Sequence, residues 1–449
     1  MSNIIKLKKG LNIKLLGEAE KTVEDINSEF FALKPTDFIG VFPKLMVKEG
    51  DEVKAGTVVF YDKYREDILF TSPVSGTITE IIRGPKRLME EIRIKSNGKS
   101  EFESFQVSDP NDMSKEDVTE LLRKSGLWPC IRQRPYSVIA KPGDDPKAIF
   151  ISAFDTSPLG LDYDFIVHGK GDLFQKGLDA LKKLTSGNVH LNTNPQETTS
   201  KVFHNSQGVQ INQFTGPHPA GNVGIQIHHI DPINKGDVVW YLNPQDVLTI
   251  GKFFTDGKYD PSCMIALSGS EVDKPKYYKA IKGTSIKPFV ENNVKEGELR
   301  YISGNVLTGK RIEKDGYLGF YDFHVNVIPE GNYFEFLGWG LPGLKKFSVS
   351  RSFIAWMNPS KKYSLDTNLH GGVRAFVLSG EYEKVLPMDI LPVQLIKSVI
   401  AEDIDMMENL GIYEVDEEDF ALCEFVCTSK INSQSIIRKG LDLIRKEMS

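Results

Sequence analysis

The sequence predicts an α+β protein of several domains: a small β-sandwich, a parallel α/β layer, a small mixed β module and a group of C-terminal helices. Its 449 residues are enough for about three domains of ~150 residues. Hydrophobic residues make up 40% of the chain, which is typical of a globular protein. The spacing of apolar residues changes along the chain from short β-branched runs to a strand–helix–strand pattern and then to helical stripes.

These changes in pattern divide the chain into five parts. We place an N-terminal segment and the β-sandwich at 1–112, the α/β layer at 113–256, the mixed β module at 257–330, a β-rich aromatic segment at 331–384 and the helices at 385–449.

Charge and hydropathy argue against three classes of protein: nucleic-acid binders, membrane-spanning proteins and secreted proteins. With 55 basic and 61 acidic side chains the net charge is −6, which disfavours a nucleic-acid binder. No run approaches the ~18 uncharged apolar residues of a spanning helix, and the first residues lack the apolar core of a secretory signal, so we expect a cytoplasmic protein.

Residues 401–429 hold ten acids and no Lys or Arg, and 430–449 hold five basic residues and two acids. We expect two solvated faces of opposite sign, with a docking surface as the alternative.

The sandwich is predicted by the stretch Pro43–Ile81. Valines alternate there with two glycine-bounded turns, KEGDEVKAG and SPVSG. This pattern resembles the barrel-sandwich fold of biotinyl and lipoyl domains. In such carriers a lysine at a hairpin tip bears the cofactor, and Lys63 lies near that place. The residues that follow it, YRED, differ from a carrier context, so we expect a structural sandwich.

A Rossmann-like layer is predicted next. Ser114 begins a capping box for a helix that ends near Gly126. The apolar run Ala148–Phe154 suits a buried parallel strand, Asp172–Leu184 has one apolar helical face, and Asn188–Asn192 reads as the returning strand.

The connection after the first of these strands does not predict a nucleotide site. Gly169 and Gly171 are followed by no glycine before Gly177, so the spacing G-x-G-x-x-G is missing, and Asp172 would repel a phosphate. We expect no nucleotide here.

Histidines are concentrated in the stretch Gln213–Pro232. His218, His228, His229 and Asp231 suggest a zinc or iron site by residue type. However, the adjacent histidines would point to opposite faces of an extended strand, and His218 lies between two prolines. We therefore expect a rigid turn with hydrogen-bonded histidines rather than a metal site.

The stretches Met264–Val290 and Arg300–Ile312 resemble the soluble-ligand-binding β-grasp module called SLBB. An aromatic cluster follows, which we expect to be core, with a flat ligand platform as the alternative. Its members are Tyr317, Phe320, Tyr321, Phe323, Tyr333, Phe334, Phe336 and Trp339.

From Val385 the pattern is helical, and two cysteines lie four residues apart within it. Such spacing places Cys423 and Cys427 on one helical face, and the residues just before them are apolar. We therefore expect both thiols to be buried and reduced. With Cys130 and Cys263 the chain has four cysteines, too few and too scattered for a disulfide framework.

Four motifs together give a resemblance that extends over essentially the whole chain. They are RGPKRLMEEI (Arg83–Ile92), GPHPAGNVGIQIHHIDP (Gly216–Pro232), SGNVLTGKR (Ser303–Arg311) and DEEDFALCEFVCTSK (Asp416–Lys430). The combination resembles the A subunits of the bacterial sodium-translocating NADH:quinone reductase. The domain order also resembles that of two related proteins, the NADH-binding flavoprotein of respiratory complex I and the C subunit of the Rnf complex.

The resemblance implies a peripheral subunit on the cytoplasmic face of the bacterial inner membrane. Its partners would be the other subunits, especially the integral-membrane ones, and the complex would pass electrons from NADH to ubiquinone or menaquinone while exporting Na⁺. FAD, FMN, riboflavin and iron–sulfur centres would belong to those other subunits. The glycine loop for FMN and the cysteine runs for iron–sulfur clusters are missing here, and Thr428 stands where the family commonly has Pro, so we expect this chain to bind no cofactor.

A quinone site is expected from residue chemistry, because a quinone ring needs flat apolar walls and a few donors. The candidates are the donors His218, His228 and His229 and the walls Tyr317, Phe336 and Trp339. Two alternatives to the reductase role stay open: a free-standing soluble-ligand-binding scaffold protein that uses the β-grasp domain, and a lipoyl- or biotin-type carrier.

Overall fold

The structure is a computed structural model that describes residues 4–448. Twenty strands lie in this range. They are β1 (Ile4–Lys6), β2 (Glu20–Asp25), β3 (Phe30–Leu33), β4 (Pro43–Leu45), β5 (Glu52–Val53), β6 (Val58–Asp62), β7 (Arg65–Thr71), β8 (Gly76–Arg83), β9 (Met89–Ser96), β10 (Arg132–Arg134), β11 (Val138–Ile139), β12 (Ala148–Ser152), β13 (Asn188–Thr193), β14 (Gln210–Thr215), β15 (Val239–Leu242), β16 (Ser262–Ser268), β17 (Lys276–Ile281), β18 (Leu299–Ser303), β19 (Lys310–Ile312) and β20 (His324–Pro329).

Twelve α-helices lie in the same described range. They are α1 (Lys115–Lys124), α2 (Tyr163–Val167), α3 (Gly171–Lys183), α4 (Lys201–His204), α5 (Val223–Ile230), α6 (Pro244–Asp256), α7 (Lys287–Val290), α8 (Tyr382–Val385), α9 (Pro392–Ile400), α10 (Ile404–Asn409), α11 (Ala421–Val426) and α12 (Ser433–Glu447).

The predicted sandwich is confirmed. A four-stranded sheet (β3-β9-β8-β5) and a three-stranded sheet (β4-β6-β7) form it. Phe60 and Phe70 stack between them with ring centroids 4.3 Å apart, and Phe38 packs on Phe70 at 4.5 Å. Lys63 lies at the tip of the β6–β7 hairpin, where its backbone N–H donates to Phe42 O.

The predicted α/β layer is a seven-stranded sheet of order β1-β14-β13-β12-β15-β10-β11. The strands from β1 to β15 in this order pair in parallel, whereas β10 and β11 are antiparallel to their neighbours. Helices α3 and α6 cross closely at two glycines: a Cβ at Gly177 would lie 2.1 Å from Val247 O, and one at Gly251 would lie 1.8 Å from Leu173 O. Larger residues would therefore separate these helices.

Both faces of this sheet are buried, as a continuous apolar strand requires. Ile149 and Ile151 of β12 belong to a core shared with the sandwich and the β-grasp module. Phe150, between them, faces the opposite side and belongs to the core formed with the C-terminal helices, which includes Ile396 and Ile437. The C-terminal helices thus cover the second face of the α/β sheet.

The β-grasp module is a six-stranded mixed sheet of order β19-β18-β20-β16-β17-β2. Strand β16 pairs antiparallel with β17 and parallel with β20. The N-terminal segment, which we grouped with the sandwich, supplies edge strands elsewhere: β1 joins the α/β sheet and β2 joins the β-grasp sheet. β1 has only three residues and all six residues of β2 are exposed, so neither strand carries an apolar alternation that predicts its partner.

Residues 331–384 differ from the β-rich segment that we predicted. In the described chain they contain no strand, only two 3-10 turns, the bridge between Leu15 and Tyr363, and the short helix α8. Seven glycines and two prolines lie between residues 331 and 380. They interrupt the alternation of apolar and polar residues and the backbone hydrogen bonds that a β-strand needs.

Candidate functional site

His228 and His229 lie on helix α5, so our assignment of this stretch to an extended strand is wrong. The β-branched run reads as a strand locally, but Gln226 of the same run bonds Ser152 Oγ and Asn192 Nδ2 of the sheet, each at 2.8 Å. These tertiary bonds hold the turn of helix against the end of β12. Neighbouring helical residues can share one side, and the two imidazole rings lie 5.1 Å apart.

Both histidines connect α5 to the C-terminal helices. His228 Nε2 accepts from Asp389 N at 3.0 Å, which places its proton on Nδ1, 2.6 Å from Glu414 Oε2. His229 Nε2 donates to Pro387 O at 2.9 Å. Burial lowers the pKa of His229, and the neighbouring His228 lowers it further. The two rings act as structural ties between domains.

His218 occupies the rigid turn that we predicted, with a cis peptide bond to Pro219. Its backbone N–H donates to Asn12 Oδ1 at 2.8 Å, and its ring Nδ1 lies 3.1 Å from Thr156 Oγ1. The Thr156 hydroxyl already accepts from Gly221 N at 2.9 Å, so we assign its proton to His218 Nδ1. Burial lowers the pKa of His218 to about 4, and the ring is neutral at physiological pH.

Thr156 lines a cavity of about 480 Å³ at the carboxyl ends of the parallel strands. This edge of an open α/β sheet is where ligands bind in such folds. Five carboxylates line the cavity, against the two amines of Lys14 and Lys362. The carboxylates are those of Glu18, Asp155, Asp162, Asp164 and Glu197.

The electrostatics of this cavity disfavour phosphate. Asp162 Oδ1 accepts from Phe165 N at 2.9 Å and so occupies the amino end of α2, the position where a phosphate would bind. Burial raises the pKa of Glu197, and the nearby carboxylates of Asp155 and Asp162 raise it further. A phosphate would add negative charge to a site that already repels it.

Neutral polar groups are also present in the cavity wall. Ser157 is 8% exposed, and its Oγ has no hydrogen-bond partner among the described residues. The Tyr163 hydroxyl accepts from Asn243 Nδ2 at 2.6 Å, which leaves its own proton available. Leu159 and Leu161 supply apolar surface. The cavity therefore combines hydroxyl donors with aliphatic walls.

The remaining predicted site residues contact other parts of the molecule. Tyr317 lies between the β-grasp module and the sandwich, where its carbonyl accepts from Lys34 Nζ at 2.9 Å and Arg93 lies over its ring at 5.5 Å. Phe336 is 90% exposed on the irregular segment, and the side chain of Trp339 lies outside the described part of the structure. The six residues therefore do not line one pocket in the part that the structure describes.

The aromatic cluster divides in the same way. Phe320 and Phe323 are buried, as we expected of a core, whereas Phe334 and Phe336 are exposed. Local composition alone does not separate the two groups, because the division depends on where β20 ends.

Sequence reasoning missed a buried ion-pair network between β10 and the C-terminal helices. Arg134 is fully buried, and its guanidinium donates to Asp419 Oδ2 at 2.7 Å and to Glu418 Oε1 at 2.6 Å. Arg438 lies 3.7 Å from Asp416 Oδ1 and also pairs with Glu417. We call these six residues the C-terminal latch.

Our expectation of a solvated acidic face is thus wrong for Asp416 and Asp419, which are both buried. A capping box formed by these two residues turns the chain into a 3-10 turn at Glu417–Phe420 and points the acids toward Arg134. The available signal was the pair of arginines in β10, Arg132 and Arg134, since buried acids need buried cations.

A second buried pair lies in the shared core. Lys282 Nζ is 2.5 Å from Asp246 Oδ1 and 4.4 Å from the Phe320 ring centroid, with both charged side chains less than 5% exposed. Although burial opposes the charge, Asp246 raises the pKa of Lys282. The Cys130 thiol is 3.9 Å from Lys282 Nζ, and burial raises its pKa.

All four cysteines are free and buried, which confirms the burial that we predicted for Cys423 and Cys427. Burial raises the pKa of Cys423 well above its usual range. Within residues 4–448 no three His, Cys, Asp or Glu side chains are arranged to hold a metal ion. No helix in this range has the length and apolar character to cross a membrane.

Three family models match this chain, and all three belong to one family. The family model "NqrA N-terminal barrel-sandwich hybrid domain" matches residues 5–97, "NqrA second alpha/beta domain" matches 113–259, and "NQRA C-terminal domain", an SLBB model, matches 264–314. Among solved structures, an NAD⁺-reducing [NiFe]-hydrogenase in the air-oxidized state is similar with a TM-score of 0.38 at 12% identity. That match covers 76% of this chain and 63% of the hydrogenase chain, less than two thirds of its length.

Full-length relatives carry one name. The chain is 40% identical over 448 residues to the A subunit of the Na(+)-translocating NADH-quinone reductase of Pasteurella multocida, covering 99% of this chain and 100% of the relative. It is 39% identical to the protein of the same name from Rhodopirellula baltica, covering 99% of each. With three family models in matching order and such identity over its whole length, the chain belongs to the family of A subunits of the Na(+)-translocating NADH-quinone reductase.

Proposed function

We propose that this chain is a peripheral, cofactor-free subunit of a sodium-pumping NADH:quinone oxidoreductase. The complex passes electrons from NADH to ubiquinone or menaquinone and exports Na⁺, and the chain docks on the integral-membrane subunits at the cytoplasmic face of the bacterial inner membrane. FAD, FMN, riboflavin and iron–sulfur centres are held by the other subunits. The relatives' names supply the reductase and the sodium ion.

The observation that carries the cofactor-free role is the acidic lining of the cavity at the carboxyl edge of the α/β sheet. FMN and FAD both carry phosphate, and the amino end of α2 is capped by Asp162 instead of being open to it. An iron–sulfur cluster is held by four ligands, most often Cys thiolates from one place in the fold. Cys423 and Cys427 lie in the core with the C-terminal helices, whereas Cys130 and Cys263 lie in the other core. Neither a flavin nucleotide nor an iron–sulfur cluster fits the residues present.

A quinone fits the same cavity better, and we propose it as the place where this subunit contacts the quinone. The quinone ring is uncharged, so the carboxylates do not repel it, and its two carbonyl oxygens accept hydrogen bonds. Ser157 and Tyr163 offer hydroxyl protons, whereas the Thr156 proton is taken by His218 and Thr156 only completes the polar wall. Of the residues first considered for the quinone, His218 does not line this cavity itself but is hydrogen-bonded to Thr156, which does.

The alternative of a free-standing ligand-binding scaffold has less support. The cavity that reaches the β-grasp module at Lys282 and Phe320 has a volume of about 10 Å³, which holds no more than one water molecule.

Complementation tests the reductase role. Inner-membrane vesicles from a bacterium that lacks this chain should regain NADH-driven quinone reduction and Na⁺ uptake when the chain is restored. If both activities are already present without it, the proposed role is wrong.

The quinone contact needs a separate test in the assembled complex. We expect His218→Gln and Ser157→Ala to raise the KM for quinone with assembly unchanged. His228→Gln is the control, since that ring lies at the C-terminal helices. An unchanged KM in both cavity variants would place the quinone elsewhere.

A further inference from the structure

The irregular segment 331–380 exposes an unusual amount of apolar surface. It holds fourteen of the twenty-seven large apolar side chains that are exposed in the described part of the chain, although it makes up about a ninth of the sequence. Phe334 and Phe336 are 107% and 90% exposed, and Val373, Met357 and Trp356 are exposed as well. Exposed apolar residues are normally scattered singly, and a concentration of this kind marks an interaction surface.

The segment is tied to the rest of the molecule at a few points. Tyr363 exchanges backbone hydrogen bonds with Lys14 and Leu16, and Arg374 N donates to Ser429 O at 2.9 Å. Phe347 packs its ring against Phe425 of helix α11 with centroids 5.8 Å apart. Between these points the segment has the two 3-10 turns Gly338–Gly340 and Ile354–Met357 as its only helical structure. Most of the segment therefore lies outside regular helices and strands.

The charge of the segment is opposite to that of the whole protein. It contains six Lys or Arg residues and two acids, whereas the chain as a whole has a net charge of −6. Arg351 lies over the Trp356 ring at 5.4 Å, so a cation and an exposed aromatic residue form one feature. Arg and Trp are enriched at the energetic centres of protein interfaces.

We propose that segment 331–380 is the surface by which this subunit docks on a membrane-embedded partner of the same reductase. The partner presents apolar side chains flanked by carboxylates. This proposal rests on the proposed function, since it takes the partner from the complex, and it adds the surface and its chemistry.

A protein partner suits the segment better than a lipid bilayer does. Irregular backbone leaves N–H and C=O groups unpaired, and in hydrocarbon each such group costs several kcal/mol. A protein partner supplies hydrogen bonds as well as apolar contacts. A stable interface buries roughly 1,200–2,000 Å² in total, and a surface of some fifty residues has enough area for one side of it.

Binding to partner-containing membranes tests the proposal. Membranes from a strain that lacks this chain provide the partner, and the full-length purified chain is added at increasing concentration. The apolar variant is Phe334→Ser with Phe336→Ser, and the charge variant is Lys345→Glu with Arg351→Glu. Tyr64→Ser is the matched control, because Tyr64 is 69% exposed on the sandwich. Unfolding curves of all variants check that the fold is kept.

We expect each double variant to bind at least about tenfold more weakly than the wild type, as loss of interface hot spots does. The charge variant should also show a weaker dependence on salt, while Tyr64→Ser binds normally. Protein-free vesicles of anionic lipid should bind the wild type poorly. If the wild type binds those vesicles as well as the partner-containing membranes, the surface binds lipid. If the wild type is a dimer and the apolar variant is not, the surface binds a second copy of this chain. Either result overturns the proposal.

Normal binding and normal NADH:quinone reductase activity of both double variants would place the docking surface elsewhere while leaving the reductase role intact. By contrast, a wild-type chain that binds but restores no activity would contradict the proposed function. The two failures are therefore distinguishable.

Discussion

Replacement of Arg134 by Met should weaken the attachment of the C-terminal helices to the α/β sheet. Arg134 is fully buried, and its removal leaves Asp419, which is also fully buried, without its 2.7 Å partner and leaves Glu418 without its 2.6 Å partner. Breaking a buried ion pair on one side costs about 3–5 kcal/mol. Met has a similar length, so the loss reflects charge more than a cavity. A domain has about 5–15 kcal/mol of stability in total, so the latch is a large part of it.

Hydrogen exchange resolves this effect by element. Amides of α9 and α12 should lose protection by about the same 3–5 kcal/mol in Arg134→Met, while amides of the sandwich sheet keep theirs. Adding Asp419→Asn to Arg134→Met removes the buried charge that was left unpaired and should recover part of the loss. A decrease below about 1 kcal/mol, or a double variant no more stable than the single one, would refute the account of the latch.

Three further outcomes follow from buried groups. Burial and neighbouring carboxylates raise the pKa values of Glu417 and Glu418 to about 7. The native state therefore binds more protons than the unfolded chain between about pH 4.5 and 7, and its stability falls as the pH rises through this range. The amides of the C-terminal helices should accordingly be more protected from exchange at pH 6 than at pH 8. An opposite pH trend in hydrogen exchange would contradict this. Lys282→Met leaves a buried aspartate unpaired and should lower the free energy of unfolding in urea by about 3–5 kcal/mol. The thiols of Cys423 and Cys427 should react with a thiol reagent only on unfolding, and replacing both by Ser should leave electron transfer intact in the assembled complex; loss of electron transfer without loss of assembly would give them a functional role.

The sequence predicts best where one element carries its own pattern. The buried strand at Ala148–Ser152, the capped helix that Ser114 begins and the helix Gly171–Lys183 were all recognisable, because their periodicity matches the structure. The sandwich was recognisable from its turns. These elements form the sandwich and the centre of the α/β layer.

Prediction failed where distant residues decide the local structure. The stretch Val223–Ile230 is β-branched and reads as a strand, yet bonds from Gln226 to the sheet hold it as a helix. The acids at Asp416 and Asp419 read as surface residues, because nothing nearby in the sequence indicates that Arg134 meets them. The same applies to the site: His218 was chosen for its own segment, while its partner Thr156 lies 62 residues away.

The absence of a redox centre in this subunit is the claim most open to direct test. The assembled complex can be purified and this chain separated from it under native conditions, and its flavin and iron content and visible absorbance can then be measured. We predict less than a tenth of an equivalent of flavin or iron per chain, as a rough limit for a protein without cofactor sites, because the cavity repels phosphate and the cysteines are divided between two cores. One equivalent of flavin, or a visible band that remains with this chain, would contradict the account.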